Sequence, residues 1–187
     1  MNPLPDFVRT KRLTLRTWQA TDAPALATAI AASVDHLTPW MPWVAFEPLS
    51  LVDRVKLIAQ WDADWRGGGD VILGIFVDGA IAGGSGLHRR AGPDTLEIGY
   101  WIHVDFVRHG YATETARALT DLAFTIDGIE RVEIHHDRAN MASEGVPRAL
   151  GFELVAEAPD AITAPSEEGT DCTWATTRGR WITPVAE

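Results

Sequence analysis

Three groups of residues carry side chains whose types and spacing could do chemistry. Residues 106–113, FVRHGYAT, place Arg108, His109 and Gly110 between a strand-like stretch, LEIGYWIHV at 96–104, and a run with helical spacing. The first N–H groups of a helix lack intrahelical acceptors, and together with the helix dipole they attract phosphate oxygens. Gly110 lets a ligand approach the backbone, and Arg108 and His109 add positive charge, so this stretch is a candidate anion site. The second group, GGSGLH at 83–88, tempts a dinucleotide reading, but G-x-G-x-x-G needs glycine where Arg89 stands and a helix where a strand runs. The third, His135, His136 and Asp137, has neighbouring side chains on opposite faces of a strand and no H-E-x-x-H pattern, so no metal is expected. Cys172 is the single cysteine and reads as a packed small hydrophobe rather than a nucleophile.

The composition bounds what such groups can serve. A chain of 187 residues with 46% hydrophobic and 22% charged residues has ordinary globular usage, and one domain spanning residues 1–187 is expected. A net charge of −10 argues against a nucleic-acid partner, because phosphate affinity rests on many lysines and arginines, and no basic stripe with interleaved aromatics offsets it. One cysteine permits no intrachain disulfide, which suits a reducing cytoplasm. The stretch MNPLPDFVRTKRLTLRTW contains no apolar run of signal-peptide length, and no segment reaches the ~18 apolar residues of a membrane span. No membrane partner and a cytoplasmic location are the expectations.

The elements that must position these residues follow from periodicity. RLTLRTW at 12–18 alternates as a strand. Thr21 or Asp22 can cap a helix to about Val34, with Pro24 in its first turn. The stretch HLTPWMPWVAFEPLS at 36–50 is too rich in proline for a helix and too apolar for a solvated linker, so it should pack onto something. Ser50 caps a second helix over 51–65, stopped by Gly67, Gly68 and Gly69. Strands at 71–77 and 80–89 flank an Asp78-Gly79 hairpin turn, and 96–104 pairs next as the fourth strand. Ala112, Ala116, Leu119, Ala123 and Ile126 mark the buried stripe of a third helix. RVEIHH at 131–136 is the fifth strand and 140–150 a helix closed by Gly151. FELVAEA at 152–158 is the sixth strand, 157–171 an exposed loop, and the final strand lies within 172–182. The order β-α-α-β-β-β-α-β-α-β-β predicts an α/β architecture, one mixed sheet with helices on both faces.

Set beside known families, three segments resemble the GNAT superfamily of acyl-CoA-dependent N-acetyltransferases. VRHGYA at 107–112 is similar to that family's (Arg or Gln)-x-x-Gly-x-(Gly or Ala), keeping Gly110 and Ala112 but carrying Val107 in the first position. IHHDRANMASEGVPRALGF at 134–152 resembles its strand followed by N-x-x-S-x-x-V-x-x-x-L-G-F, matched by Asn140, Ser143, Val146, Leu150, Gly151 and Phe152. HLTPWMPWV at 36–44 with LEIGYWI at 96–102 is similar to the branch of the RimJ/RimL-type ribosomal-protein N-terminal acetyltransferases. Together these cover most of the chain. The fold implied is a central, mostly antiparallel twisted sheet of about seven strands, with a splay between the fourth and fifth.

The resemblance also implies roles. Ile102, His103 and Val104 would offer backbone groups to the pantetheine arm and thioester carbonyl of acetyl-CoA, the expected cosubstrate. Val107, Arg108, His109, Gly110, Tyr111, Ala112 and Thr113 would hold its pyrophosphate, chiefly through backbone amides. Asn140 matches the family asparagine at the pantetheine, and equally serves as a helix cap. Ser143 stands where a hydroxyl lies near the CoA sulfur and is the candidate general acid, against the plainer reading of a first-turn serine. Glu97 is the candidate base, acting through water, or else a solvent-facing carboxylate on an alternating strand. His88 is a weaker candidate that lacks an assigned partner. Trp40 and Trp43 belong to the loop that covers the acceptor pocket in related proteins; they offer either a face to an ammonium or simple loop packing. Trp18, Trp61, Trp65 and Trp181 read as core or interface. The implied activity is direct transfer of an acetyl group to a primary amine in a ternary complex without a metal. The alternative is a non-catalytic acyl-CoA sensor, and a homodimer is expected from the family.

Overall fold

The computed structural model describes residues 7–181. In chain order it comprises β1 (Phe7–Arg9), β2 (Thr14–Thr17), α1 (Ala23–Leu37), α2 (Leu51–Arg66), β3 (Val71–Val77), β4 (Ala80–His88) and β5 (Thr95–Ile102). Then follow α3 (Tyr111–Ala123), β6 (Arg131–Asp137), α4 (Met141–Leu150), β7 (Glu153–Pro159) and β8 (Thr170–Thr177). Short 3-10 turns occupy Ala20–Asp22, Pro42–Phe46 and Val104–Phe106. The strands form one sheet in the order β1-β2-β3-β4-β5-β6-β8-β7, antiparallel throughout except between β5 and β6.

Local chemistry explains most boundaries. Asp78 and Gly79 take φ of 48° and 84°, the left-handed pair that a two-residue hairpin between β3 and β4 requires. Ser50 Oγ accepts from the Asp53 amide at 3.1 Å and starts α2 as an N-cap should. Several boundaries differ from expectation, and α1 runs on to Leu37 rather than ending near Val34. The lead before the first predicted strand holds the additional three-residue strand β1, too short to show alternation, so the sheet has eight strands. The fourth predicted strand, β5, stops at Ile102 rather than 104, because His103 turns the chain into the Val104–Phe106 helix and accepts the Asp105 amide on Nδ1. The expected last strand ends at Thr177, and Ile182 of that reading lies outside the described residues.

The splay is visible in the register. β5 pairs with β6 only over residues 95–97 against 131–133. Beyond that β5 continues along β4 to Ile102, while β6 follows β8 to Asp137. On one face, Leu96 and Ile98 pack with Ala116, Leu119 and Ala123 of α3 and Val146 and Leu150 of α4. The alanines let α3 approach the sheet closely, and burying such a leucine is worth about 1.5–3 kcal/mol. On the other face, Trp18 and Phe76 pack with Leu26 and Ile30 of α1 and Ile58 of α2. A wedge at the end of a parallel pair, with a helix layer on each side, gives two ligands access to one point from opposite faces. Among the described residues no helix is long and apolar enough to cross a membrane.

Candidate active site

The turn before α3 is built to leave amides free. Arg108 and Gly110 both take left-handed torsions, φ 64° and 78°, and Gly110 is the N-cap of α3. The first internal bond is from the Glu114 amide to the Gly110 carbonyl at 3.0 Å, and no described residue accepts from the amides of residues 108 to 113. Their side chains are less available than the sequence suggests. His109 Nδ1 donates to the Val107 carbonyl at 2.9 Å, and its ring stacks on Tyr111 with ring centres 5.5 Å apart. Arg12, from the β1–β2 connection, brings a cation that sequence reasoning missed. Its Nη1 donates to the His109 carbonyl at 2.9 Å, its Nε pairs with Glu114 at 2.6 Å, and its guanidinium lies over Tyr111. No motif announces a contact across about a hundred residues of chain.

At the preceding turn, the His103 amide donates to the Ala82 carbonyl at 2.8 Å and the Val104 amide to Ser33 Oγ at 3.1 Å. Two of the backbone donors expected for the pantetheine arm are therefore engaged within the protein, and the His103 carbonyl accepts the Phe106 amide at 2.8 Å. Ile102 ends the strand opposite Gly83.

Across the splay, Tyr100 reaches from β5 to α4. Its hydroxyl lies 3.0 Å from Ser143 Oγ and donates toward the Ser143 carbonyl at 3.2 Å. Burial pushes the Tyr100 phenol up to about 12, although the Ser143 hydroxyl pulls the other way, so the group is a neutral donor at all ordinary pH. Asn140 Oδ1 accepts the Ser143 amide at 3.1 Å, which is the helix-capping role, and its Nδ2 has no partner among the described residues. Tyr100 was not singled out from sequence; its place on β5, three residues beyond Glu97, was the available signal.

On the α1/α2 side the splay opens into a cavity of about 670 Å³. Trp18, Trp40, Trp43, Phe46, Trp61 and Trp101 supply its aromatic walls, and Glu97, His88, Asn140 and Ser143 all face it. The predicted loop of Trp40 and Trp43 thus does pack over a cavity, with Trp43 against Trp101 at 6.1 Å between ring centres. Trp18 and Trp61, read as core or interface, line it too. Trp65 is buried in the core, and Trp181 meets Phe152 edge-on while donating to Asp121 at 2.7 Å.

The charged groups of this cavity are mutually held. Glu97 is buried, and Arg90 donates to both of its oxygens, Nε to Oε2 at 2.7 Å. Burial alone would raise the Glu97 carboxyl, but the Arg90 hydrogen bonds and charge, aided by His135 and His88, outweigh it and hold Glu97 below the ordinary range. A carboxylate with both oxygens taken and little affinity for protons is a poor base, so the geometry weakens the proton-accepting role expected of Glu97. His135 sits between Glu133 and Asp171, each 3.0 Å from a ring nitrogen. Burial works against its charge, yet Glu133, Glu97 and Asp171 prevail and raise its pKa. His136 uses Nδ1 at the Asp137 carbonyl and Nε2 to accept the Trp174 indole N–H at 3.0 Å. Asp137 accepts the amides of Ala139, Glu168, Gly169 and Thr170. Neighbouring strand residues thus serve separate structural tasks. Deeper still, Arg54 pairs with Glu47 at 2.5 Å while only 2% of its side chain is exposed, and its Nε has no partner.

Comparison with known proteins gives three findings. The family model described as an acetyltransferase (GNAT) domain matches residues 12–153. YdaF of Bacillus subtilis (strain 168), provisionally named a ribosomal N-acetyltransferase, is 28% identical over 153 residues, covering 81% of this chain and 84% of YdaF. Among solved structures, the microcin C7 self immunity acetyltransferase MccE, in complex with acetyl-CoA and AMP, superposes with a TM-score of 0.84 at 22% identity over 94% of this chain and 98% of that one. RimL, the ribosomal L7/L12 alpha-N-protein acetyltransferase, in complex with coenzyme A, has a TM-score of 0.83 at 21% identity over 91% and 97%. At these identities the two structures attest the fold, including the eight-stranded mixed sheet with its four helices.

Proposed function

Since this chain belongs to the GNAT acetyltransferase family, we propose that it moves an acetyl group from acetyl-CoA directly to a primary amine, with both substrates bound at the splay. The observation that carries this reading is the row of unpartnered amides at residues 108–113 opening on one side of a wedge whose other side is an aromatic cavity. Backbone amides at a helix N-terminus suit the pyrophosphate of CoA and do not need the arginine that Val107 replaces. In MccE and RimL the same fold holds acetyl-CoA and CoA respectively. Asn140, with its Oδ1 spent on the cap, has Nδ2 left to donate to the pantetheine arm.

Transfer forms a bond between the amine nitrogen and the thioester carbon and breaks the bond from that carbon to sulfur. No covalent enzyme intermediate is needed, which fits a chain whose Cys172 is buried and whose thiol is pushed up by burial and by Glu157. The departing thiolate takes a proton from the Ser143 hydroxyl, held at the splay by Tyr100. Glu97 stays ionised against Arg90 and contributes a fixed charge facing the ammonium form of the acceptor. Trp40 and Trp43 bound the space in which that acceptor lies. The relative YdaF, by its name, supports the α-amine of a protein as the acceptor class to try first.

The test is calorimetric titration with acetyl-CoA and with CoA, followed by thiol release over small primary amines and peptides with free N-termini. Micromolar binding with amine-dependent release supports the transferase. Binding with no release from any amine favours the sensor reading, and no binding overturns both.

A further inference from the structure

The cavity contains a second acid–base arrangement that the sequence did not disclose. Asp70 immediately precedes β3 and His88 closes β4, so the hairpin brings together residues 18 apart. His88 Nδ1 lies 2.7 Å from Asp70 Oδ2, and the other carboxylate oxygen accepts the Arg89 amide at 2.8 Å. The carboxylate is therefore fixed from both ends. Burial would raise the Asp70 carboxyl, but the Arg89 amide, His88 and the charge of Arg90 together lower it, so at neutral pH Asp70 can only accept. A neutral imidazole donating from Nδ1 carries its lone pair on Nε2. That nitrogen has no partner among the described residues, and the side chain lines the cavity.

Space for the ring is specifically provided. Gly86 and Gly99 are cross-strand neighbours beside the His88–Glu97 pair, and a Cβ on either would stand 2.9 or 3.2 Å from Nε2. The imidazole lies across the two bare backbones. The charged groups facing it are Asp70 from before β3, Arg90 beyond β4 and Glu97 on β5, and the last two already hold each other.

We propose that His88 Nε2 is the proton acceptor for the attacking amine and that Asp70 is the positioning residue that sets its tautomer. This rests on the transferase reading above and replaces Glu97 in the base role. As the nitrogen–carbon bond forms, the nitrogen gives its proton to Nε2. The carbon–sulfur bond breaks and the thiolate takes the Ser143 proton. The imidazolium then returns its proton to solvent, from which Ser143 regains one, so protons balance over the cycle.

Two measurements on the full chain test the pair. In two-bond proton–nitrogen correlation spectra of ¹⁵N-histidine-labelled protein, His88, assigned by its loss in His88→Gln, should be the Nδ1–H tautomer when neutral. Asp70→Ala should move it toward Nε2–H, whereas Asp70→Asn, which keeps an acceptor, should not. An Nε2–H ring in the unchanged protein, or a spectrum indifferent to Asp70→Ala, overturns the pairing. With any amine that supports thiol release, His88→Gln should lower kcat/KM about a hundredfold, abolish the acidic limb of the pH profile and leave acetyl-CoA affinity within about twofold. Asp70→Ala should lower kcat/KM about tenfold, with Asp70→Asn intermediate. Release by His88→Gln within twofold of the unchanged protein overturns the inference while the transferase reading stands. No release by the unchanged protein overturns the transferase reading, and the tautomer then decides the pair by itself.

Discussion

Around residues 108–113 the polar groups left without internal partners are backbone amides, whereas in the cavity beneath α1 and α2 the charged side chains already hold one another. The anion site proposed for the first region rests on backbone amides rather than side chains, which is how a valine at 107 is compatible with that proposal. The second depends on particular pairs, because each buried charge is tolerable only beside its partner. Substitutions should therefore be costly to the fold in the cavity and costly mainly to binding in the turn.

The largest expected effect breaks the deepest pair. Glu47→Ala leaves Arg54 charged, 2% exposed and without a counter-ion, and should cost about 3–5 kcal/mol in urea unfolding. Changing both residues, Glu47→Leu with Arg54→Met, should recover most of that loss, since it removes both desolvated charges. A single substitution costing under about 1 kcal/mol would show that water reaches the pair and that the contrast between the regions is overstated.

Next in size is Ser143→Ala, at the boundary between the two regions. Loss of its hydroxyl should lower kcat roughly ten- to a hundredfold while acetyl-CoA affinity changes less than about twofold. Tyr100→Phe removes the partner 3.0 Å away, and the double variant should be hardly slower than Ser143→Ala alone. Full additivity would mean that the two hydroxyls act separately.

In the turn, Gly110→Ala forces a Cβ into φ 78°, where no clash occurs but the left-handed torsion costs about 1 kcal/mol. Acetyl-CoA should bind about fivefold more weakly with kcat at saturation nearly unchanged. Val107→Arg should tighten binding and make it more sensitive to salt. If instead it is neutral, the amides alone satisfy the pyrophosphate.

The same contrast governs what could be read from sequence. A turn, a helix start and a cap are local: Gly110, Asn140 and the Asp78-Gly79 turn each act within a few residues of themselves, and their neighbours announce them. The order of elements and the splay followed from such signals and from the family resemblance. Partners in the cavity are assigned by sheet register and helix packing. Nothing adjacent to His88 indicates Asp70, and nothing near Glu47 indicates that Arg54 will be the largest of the fully buried side chains among the described residues. Glu97 illustrates the consequence: its position was legible, but its chemistry was decided by Arg90, seven residues back across a loop. β1 was missed for a different reason, since three residues cannot display a period of two convincingly.

The smallest effect is a pH dependence that tests whether the cavity charges act as one unit. Glu97 is held below the ordinary 4.5 of a glutamate, so its contribution to stability is complete above that pH and is lost as the pH falls through its lowered folded value. His135 is raised above 6.5, so its contribution is complete below that pH and is lost as the pH rises through its folded value. Thermal unfolding between pH 3 and 9 should show both losses. Glu97→Gln should flatten the acid side and His135→Gln the alkaline side. Each group also lies in the field of the other, lowering Glu97 and raising His135. Glu97→Gln should accordingly flatten part of the alkaline loss as well, although Glu97 does not titrate there. An alkaline side untouched by Glu97→Gln would mean that Glu133 and Asp171 alone hold the His135 proton and that the cavity is a set of independent pairs.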